Sequence, residues 1–254
     1  MASAGSLVLA CRRLDEPRLS FVVPAYEAES SVGEVVSSLI TLSVGTDRFT
    51  DPAVIVIDDG SLDGTGERAR AAGADVVRHP RNLGKGAALL SGFERAFRAG
   101  ARAVVSLDAD GQHPPGEALR LALDPSPLAT LVLAVRDLRR DGAPAPNRFS
   151  NGFSNLWMSW FARRRLHDTQ CGLRRYPLPD VLELGLHGTR FELESEVIVR
   201  AVRAGIPLVE VPTRVLYPEG RTSHFDSVRD PARIVARLLH TAATTRWQRQ
   251  TERR

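Results

Sequence analysis

Two aspartates one residue apart, Asp108 and Asp110, follow the apolar run 103–107, and Gln112 comes two residues later. Carboxylates at that spacing can share a hard divalent cation such as Mg2+ or Mn2+, and Gln112 can add an amide oxygen. Such an ion binds substrate phosphate oxygens in its remaining positions and neutralises charge growing on a leaving diphosphate. Taken alone, the same pattern also fits a solvated turn or a helix cap.

A second acidic stretch, Asp58-Asp59-Gly60-Ser61-Leu62-Asp63-Gly64-Thr65, ends another apolar run. A carboxylate at the tip of a buried strand can accept hydrogen bonds from a base or from ribose hydroxyls, and Gly60 and Gly64 permit a tight turn. Asp63 or Ser61 can also cap the helix that follows. The third stretch, Asn82-Leu83-Gly84-Lys85-Gly86, opens a helix whose first N–H groups favour an anion. It is not a P-loop, whose longer spacing and Lys-Ser/Thr ending are missing. Lys85 is the single lysine among 34 basic residues. An arginine-biased composition accounts for most of that, yet it marks Lys85 as a place for a compact ammonium rather than a planar guanidinium.

These residues need elements to hold them. Apolar runs alternate with helical patterns, which predicts parallel strands joined by crossover helices. Strands are expected at 19–23, 53–57, 75–78, 103–107 and 130–135. One helix carries Val32, Val35, Val36, Leu39 and Ile40 on one face, a second covers 64–72, and a third carries Leu89, Phe93 and Phe97. The polar pairs Tyr26/Glu27, Asp58/Asp59 and Asp108/Asp110, and Arg136, then all fall just after strands, where open α/β sheets bind ligands. The proline-rich piece 142–146 is the expected boundary between a nucleotide half (18–141) and an acceptor half (147–240), with tails at 1–17 and 241–254. A small strand addition is expected around 208–216.

Composition narrows the class. A hydrophobic fraction of 43% and a charged fraction of 25% describe a folded globular protein. No apolar run approaches the roughly 20 residues of a spanning helix. The segment 6–11 lacks the basic stretch and apolar length of a signal peptide. Cys11 and Cys171 form no disulfide or zinc framework, so a cytoplasmic location is expected. A net charge of +4 without a long basic run speaks against nucleic acid as a partner.

Together these segments resemble family 2 glycosyltransferases, and within them the polyprenyl-phosphate hexosyltransferases of bacteria and other cells (dolichyl-phosphate mannose and glucose synthases). The carrying motifs are Phe21-Val-Val-Pro-Ala-Tyr26, Val56-Ile-Asp58-Asp-Gly-Ser, Asn82-Leu-Gly-Lys-Gly-Ala87 and Leu107-Asp-Ala-Asp-Gly-Gln112, followed by Asp168-Thr-Gln-Cys-Gly-Leu173 and Phe191-Glu-Leu-Glu194. The resemblance covers roughly residues 18–240. It implies a glycosyltransferase A-type α/β fold with a mostly parallel central sheet, flanking helices and a C-terminal helical extension.

It also implies roles. Pro24, Tyr26 and Asp58 would line the base and ribose pocket, with Glu27, Lys85 and Ala109 on the same nucleotide-sugar side. Asp108 would sit beside ribose or diphosphate, sharing the cation with Asp110 and Gln112. Arg136 would meet the acceptor's phosphate, with Arg148 and Arg221 as further candidates, while Asp168 and Gln170 would shape the sugar pocket. The donor would be a UDP- or GDP-hexose, the acceptor polyprenyl phosphate, and the reaction inverting. The family's Pro-x-Tyr-Asn-Glu reads Pro24-Ala-Tyr26-Glu27-Ala28-Glu29 here, so either Glu27 or Glu29 could face the donor.

A phosphate acceptor is already ionised and needs positioning by arginines. A hydroxyl acceptor needs a proton acceptor, for which Asp168, Glu192, Glu194 and His224 are available. A soluble sugar or alcohol acceptor therefore stays open, as does a non-catalytic nucleotide-sugar-binding protein. A lipid acceptor would bring the protein to the cytoplasmic membrane face. Phe149, Phe153, Leu156, Trp157, Trp160 and Phe161 share a helical face ahead of Arg163-Arg164-Arg165. A second stripe holds Ile234, Val235, Leu238, Leu239 and Ala242, with Arg229, Arg233 and Arg237 alongside. Either stripe suits an interfacial helix or packing on the protein's own core.

Overall fold

The computed structural model describes residues 18–44, 46–143, 145–216, 237 and 239–241. Its centre is a seven-stranded sheet. The strands are β1 (Arg18–Ala25), β2 (Phe49–Asp58), β3 (Asp75–Arg78), β4 (Ala101–Ser106), β5 (Leu131–Arg136), β6 (Arg174–Pro177) and β7 (Leu208–Thr213). They lie in the order β3-β2-β1-β4-β6-β5-β7. β6 runs antiparallel to both of its neighbours, and the other pairings are parallel. The predicted strands all form, and β2 is fully covered from Val54 to Ile57, as its β-branched run requires.

Among the described residues, the α-helices that flank the sheet are α1 (Val32–Ser43), α2 (Thr65–Ala71), α3 (Lys85–Arg98), α4 (Pro115–Ala122), α5 (Ala145–Ala162) and α6 (Glu192–Arg203). Alternate strand residues feed two cores. Phe21, Val23, Val54 and Val105 point with α1 and α4 to one side, and Val22, Ile55, Val104 and Leu133 point with α3, α5 and α6 to the other. Burying both faces with helices is what a mainly parallel sheet needs.

Two differences from the sequence expectation affect the site. First, α5 begins at Ala145, inside the proline-rich piece; proline is tolerated in a first helical turn because the N–H it lacks is unpaired there. Second, β6 has no apolar pattern: Arg174-Arg175-Tyr176-Pro177 is nevertheless wholly buried. Both guanidiniums end on backbone carbonyls, Arg174 on Cys171, Thr169 and Glu194, and Arg175 on Ala122, Asp124, Ser126 and Pro127. Because β6 is reversed, the chain enters it from the carboxyl edge of its neighbours, which brings residues 168–173 to the same edge as Asp108 and Arg136.

Candidate active site

The loop after β2 organises the loop before α3. Asp59 Oδ1 accepts from Leu83 N–H at 2.9 Å and meets His79 Nδ1 at 2.7 Å, while Oδ2 accepts from Gly84 N–H at 2.8 Å. Gly60 has φ 75°, and a Cβ there would lie 2.3 Å from the Arg81 backbone. Asp59 thereby sets the course of Asn82–Gly86. Asp58 itself is buried, with Oδ1 bound by Ser61 N–H at 2.9 Å and Oδ2 3.4 Å from Arg78 Nε without a hydrogen-bond donor. Of the two expected caps neither is the N-cap, which is Gly64; Asp63 just before it takes Thr65 N–H on Oδ1 at 3.0 Å, and the Ser61 hydroxyl accepts from Glu27 N–H at 3.0 Å.

Lys85, at the start of α3, is the hub. Its ammonium lies 2.7 Å from Asp108 Oδ1 and 3.3 Å from Glu194 Oε2, with the Phe191 ring 5.8 Å away. Burial by itself pushes the ammonium's pKa down, but the carboxylates of Asp108 and Glu194 outweigh it and hold Lys85 above the ordinary lysine value. A Cβ on Gly172 would come 2.7 Å from Asp108 Oδ2 and 3.0 Å from Lys85 Nζ, so only glycine leaves this pair its room. Glu194, from the Phe191-Glu-Leu-Glu194 motif, reaches Lys85 from more than a hundred positions along the chain.

Beyond Asp108 the turn closes on itself. Asp110 Oδ1 accepts from Gln112 N–H at 2.9 Å, Ala109 and Gln112 are buried, and Leu216 N–H donates to Gln112 O at 2.9 Å. Among the described residues no three His, Cys, Asp or Glu side chains assemble into a full metal cage. Two carboxylates and an amide on one turn instead form an all-oxygen set, suited to an ion that takes its other ligands from a diphosphate and water. Next to the turn, His113 is buried with Nδ1 unpartnered, and burial, aided by Arg136 and Lys85, drives its pKa down to about 4. It is a neutral imidazole in an otherwise charged site.

Arg136 ends β5. Its Nε donates to Asp168 Oδ2 at 2.6 Å and its Nη2 to Oδ1 at 3.0 Å, with a further bond from its backbone N–H at 3.1 Å. Asp168 is fully buried. Expected in the sugar pocket, Asp168 instead spends both oxygens fixing Arg136, a fork-to-fork geometry that dictates where the guanidinium points. Gln170 is exposed, and its backbone N–H caps the same carboxylate at 3.2 Å. Arg148 is exposed and donates to Ala143 O at 2.9 Å, while Arg221 and His224 lie outside the described residues.

At the end of β1, Pro24 is buried in register with Ile57 and Tyr26 is half-buried. The Tyr26 phenol hydrogen-bonds with Glu27 and Asn82. Glu29 is engaged with the next loop and helix: its Oε2 accepts from Gly64 N–H at 3.2 Å and its Oε1 lies 3.7 Å from Arg68 Nε. Of the two acidic residues, Glu27 is therefore the one beside Tyr26.

Comparison with known proteins bears on the family and the fold. The sequence model for "Glycosyl transferase family 2" matches residues 20–169. Glycosyltransferase AglJ of Haloferax volcanii is 30% identical over 227 residues, 88% of this chain and 71% of that protein. The undecaprenyl-phosphate mannosyltransferase of Micrococcus luteus is 27% identical over 206 residues, 77% of this chain and 82% of that protein. Among solved structures, Mycobacterium tuberculosis glucosyl-3-phosphoglycerate synthase with Mn2+, UDP-glucose and phosphoglyceric acid superposes with a TM-score of 0.69 at 19% identity, over 91% of this chain and 82% of that one. The likeness shows a shared fold, the glycosyltransferase A type expected from the motifs.

Proposed function

This chain belongs to glycosyl transferase family 2, and we propose that it moves a hexose, glucose or mannose, from a UDP- or GDP-sugar to polyprenyl phosphate with inversion at the anomeric carbon. The observation that carries the acceptor is the use already made of the carboxylates. Asp168 grips Arg136, Glu194 holds Lys85, and Glu192 Oε1 accepts from the N–H groups of Thr189 and Arg190. A hydroxyl acceptor needs a base, and each of these three carboxylates is already engaged through at least one oxygen. A phosphate needs a positioned cation, and Arg136 is held in place as one.

The chemistry then divides along the carboxyl edge of the sheet. A phosphate oxygen drawn to Arg136 attacks the anomeric carbon, the bond to the diphosphate breaks, and no proton has to move. Lys85 supports the diphosphate side. Asp110 and Gln112, with Asp108 shared toward Lys85, would hold a divalent cation, whose charge would offset that of the departing diphosphate. Tyr26, Glu27 and Asp58 stand at the nucleotide end of the same edge. The mannosyltransferase relative names an undecaprenyl-phosphate acceptor and the structural neighbour was solved with Mn2+, which supports both choices.

The test uses radiolabelled UDP-glucose and GDP-mannose, Mn2+ and polyprenyl phosphate in detergent. Label moving into the organic phase with one donor is the expected result. Label appearing only on a water-soluble sugar or alcohol would overturn the acceptor assignment.

A further inference from the structure

A lipid acceptor requires contact with a bilayer, and the structure contains a surface fit for that contact. In α5, Phe153, Leu156, Trp157 and Trp160 recur at helical spacing and are 55%, 69%, 41% and 68% exposed. Their rings meet edge to face, Phe153 with Trp157 at 6.2 Å and Trp157 with Trp160 at 6.2 Å, making one continuous aromatic face. Phe161, expected on that face, turns inward with Met158 and Ala162 to join the core. The exposed stripe is therefore what remains after the helix has satisfied its own packing.

Charge says which occupant suits it. The 18 residues of α5 include no acidic side chain. Arg148 is exposed near its start, and Arg163, Arg164 and Arg165 are exposed immediately after its end. Tryptophan beside arginine matches the interfacial zone of an anionic membrane, where indole rings sit at headgroup depth and guanidiniums meet phosphates. The stripe is also tied to the site: Asn155 Oδ1 on the same helix accepts from Thr169 N–H at 2.8 Å, and Asn155 Nδ2 donates to His167 O at 2.6 Å. Those bonds brace the loop whose Asp168 holds Arg136.

We propose that the outward face of α5, with Arg163 and Arg165, docks the enzyme on an anionic lipid surface and so presents Arg136 to an acceptor held in that bilayer. The inference rests on the acceptor reading for its purpose, but not for its test. Flotation of the full chain with vesicles of phosphatidylcholine and phosphatidylglycerol (7:3), free of donor and acceptor, should bring most of the protein to the top. Pure phosphatidylcholine should carry less, and the difference should vanish in high salt.

Trp157→Ser with Trp160→Ser should lower partitioning at least tenfold while leaving the thermal transition in place, because both side chains are exposed. Arg163→Gln with Arg165→Gln should remove the anionic preference. Wild-type protein that ignores both vesicle types, or a tryptophan pair variant that floats like wild type, would overturn the proposal. So would a wild-type dimer in ultracentrifugation that the tryptophan pair variant converts to monomer, since the face would then belong to a second copy. Activity of the tryptophan pair variant toward a short, water-soluble isoprenyl phosphate should match wild type. If wild type floats but neither protein glycosylates any isoprenyl phosphate, docking stands and the acceptor reading falls.

Discussion

At the scale of single residues, the site depends on how much room one ammonium has. Lys85 fits between Asp108 and Glu194 because Gly172 presents no side chain. Gly172→Ala would push a Cβ against the tips of two side chains rather than against backbone, so the fold can absorb it while the pair cannot. We expect an almost unchanged Tm and a fall of about 10- to 100-fold in kcat/KM for the donor, the scale of loss that a misplaced group causes. Lys85→Arg should show a comparable loss, since a fork of donors cannot occupy the place of a point charge; unchanged donor kinetics would return the single lysine to composition bias. Cys171 gives a contrasting prediction. Burial pushes its thiol up to about 12, so in a C11S background a thiol reagent at pH 8 should react at least about a thousandfold more slowly with native than with urea-unfolded protein. Fast native labelling would mean that the segment before β6 opens.

At the scale of elements, the loops are held by contacts that no local pattern announces. Asp59 joins β2 to the start of α3 through two backbone N–H groups and His79. Asp59→Ala would leave those donors inside without acceptors, which costs about 2–4 kcal/mol in total, measurable by urea denaturation. A loss below half a kilocalorie would show that water replaces the carboxylate. The sequence made the five classical runs of the sheet legible because buried parallel strands are apolar throughout. It also ordered the donor loops, since acidic and glycine residues cluster where those runs stop. β6 was hidden, because two arginines become core residues only when carbonyls far along the chain come to meet them. The grip of Asp168 on Arg136 was hidden for the same reason: the two stand 32 positions apart. The choice between Glu27 and Glu29 likewise waited on where Gly64 and Arg68 lie.

At the scale of the molecule, the question is whether the nucleotide and acceptor halves are separable units. Their boundary at 142–146 is marked by composition, yet the sheet runs through it. β6 comes from the second half and pairs with β4 of the first from Ala103↔Pro177 to Ser106↔Arg174. The Ser106 hydroxyl donates to Gly172 O at 2.8 Å, and Nη1 and Nη2 of Arg175 in β6 donate to carbonyls within residues 122–127. Cutting at the boundary would expose the apolar flank of β4 and strip Lys85 of Glu194. The intact chain should therefore unfold in urea as one cooperative transition, with near- and far-ultraviolet circular dichroism coinciding. A fragment of residues 18–141 should show no such transition. Two resolved steps in the whole chain, or a cooperatively folded fragment, would mean that the donor half stands alone and that β6 is added to it. A single transition would instead make the loop that carries Lys85 and the segments that carry Asp168 and Glu194 parts of one folding unit, so that a lesion in the Arg174 or Arg175 anchors weakens both.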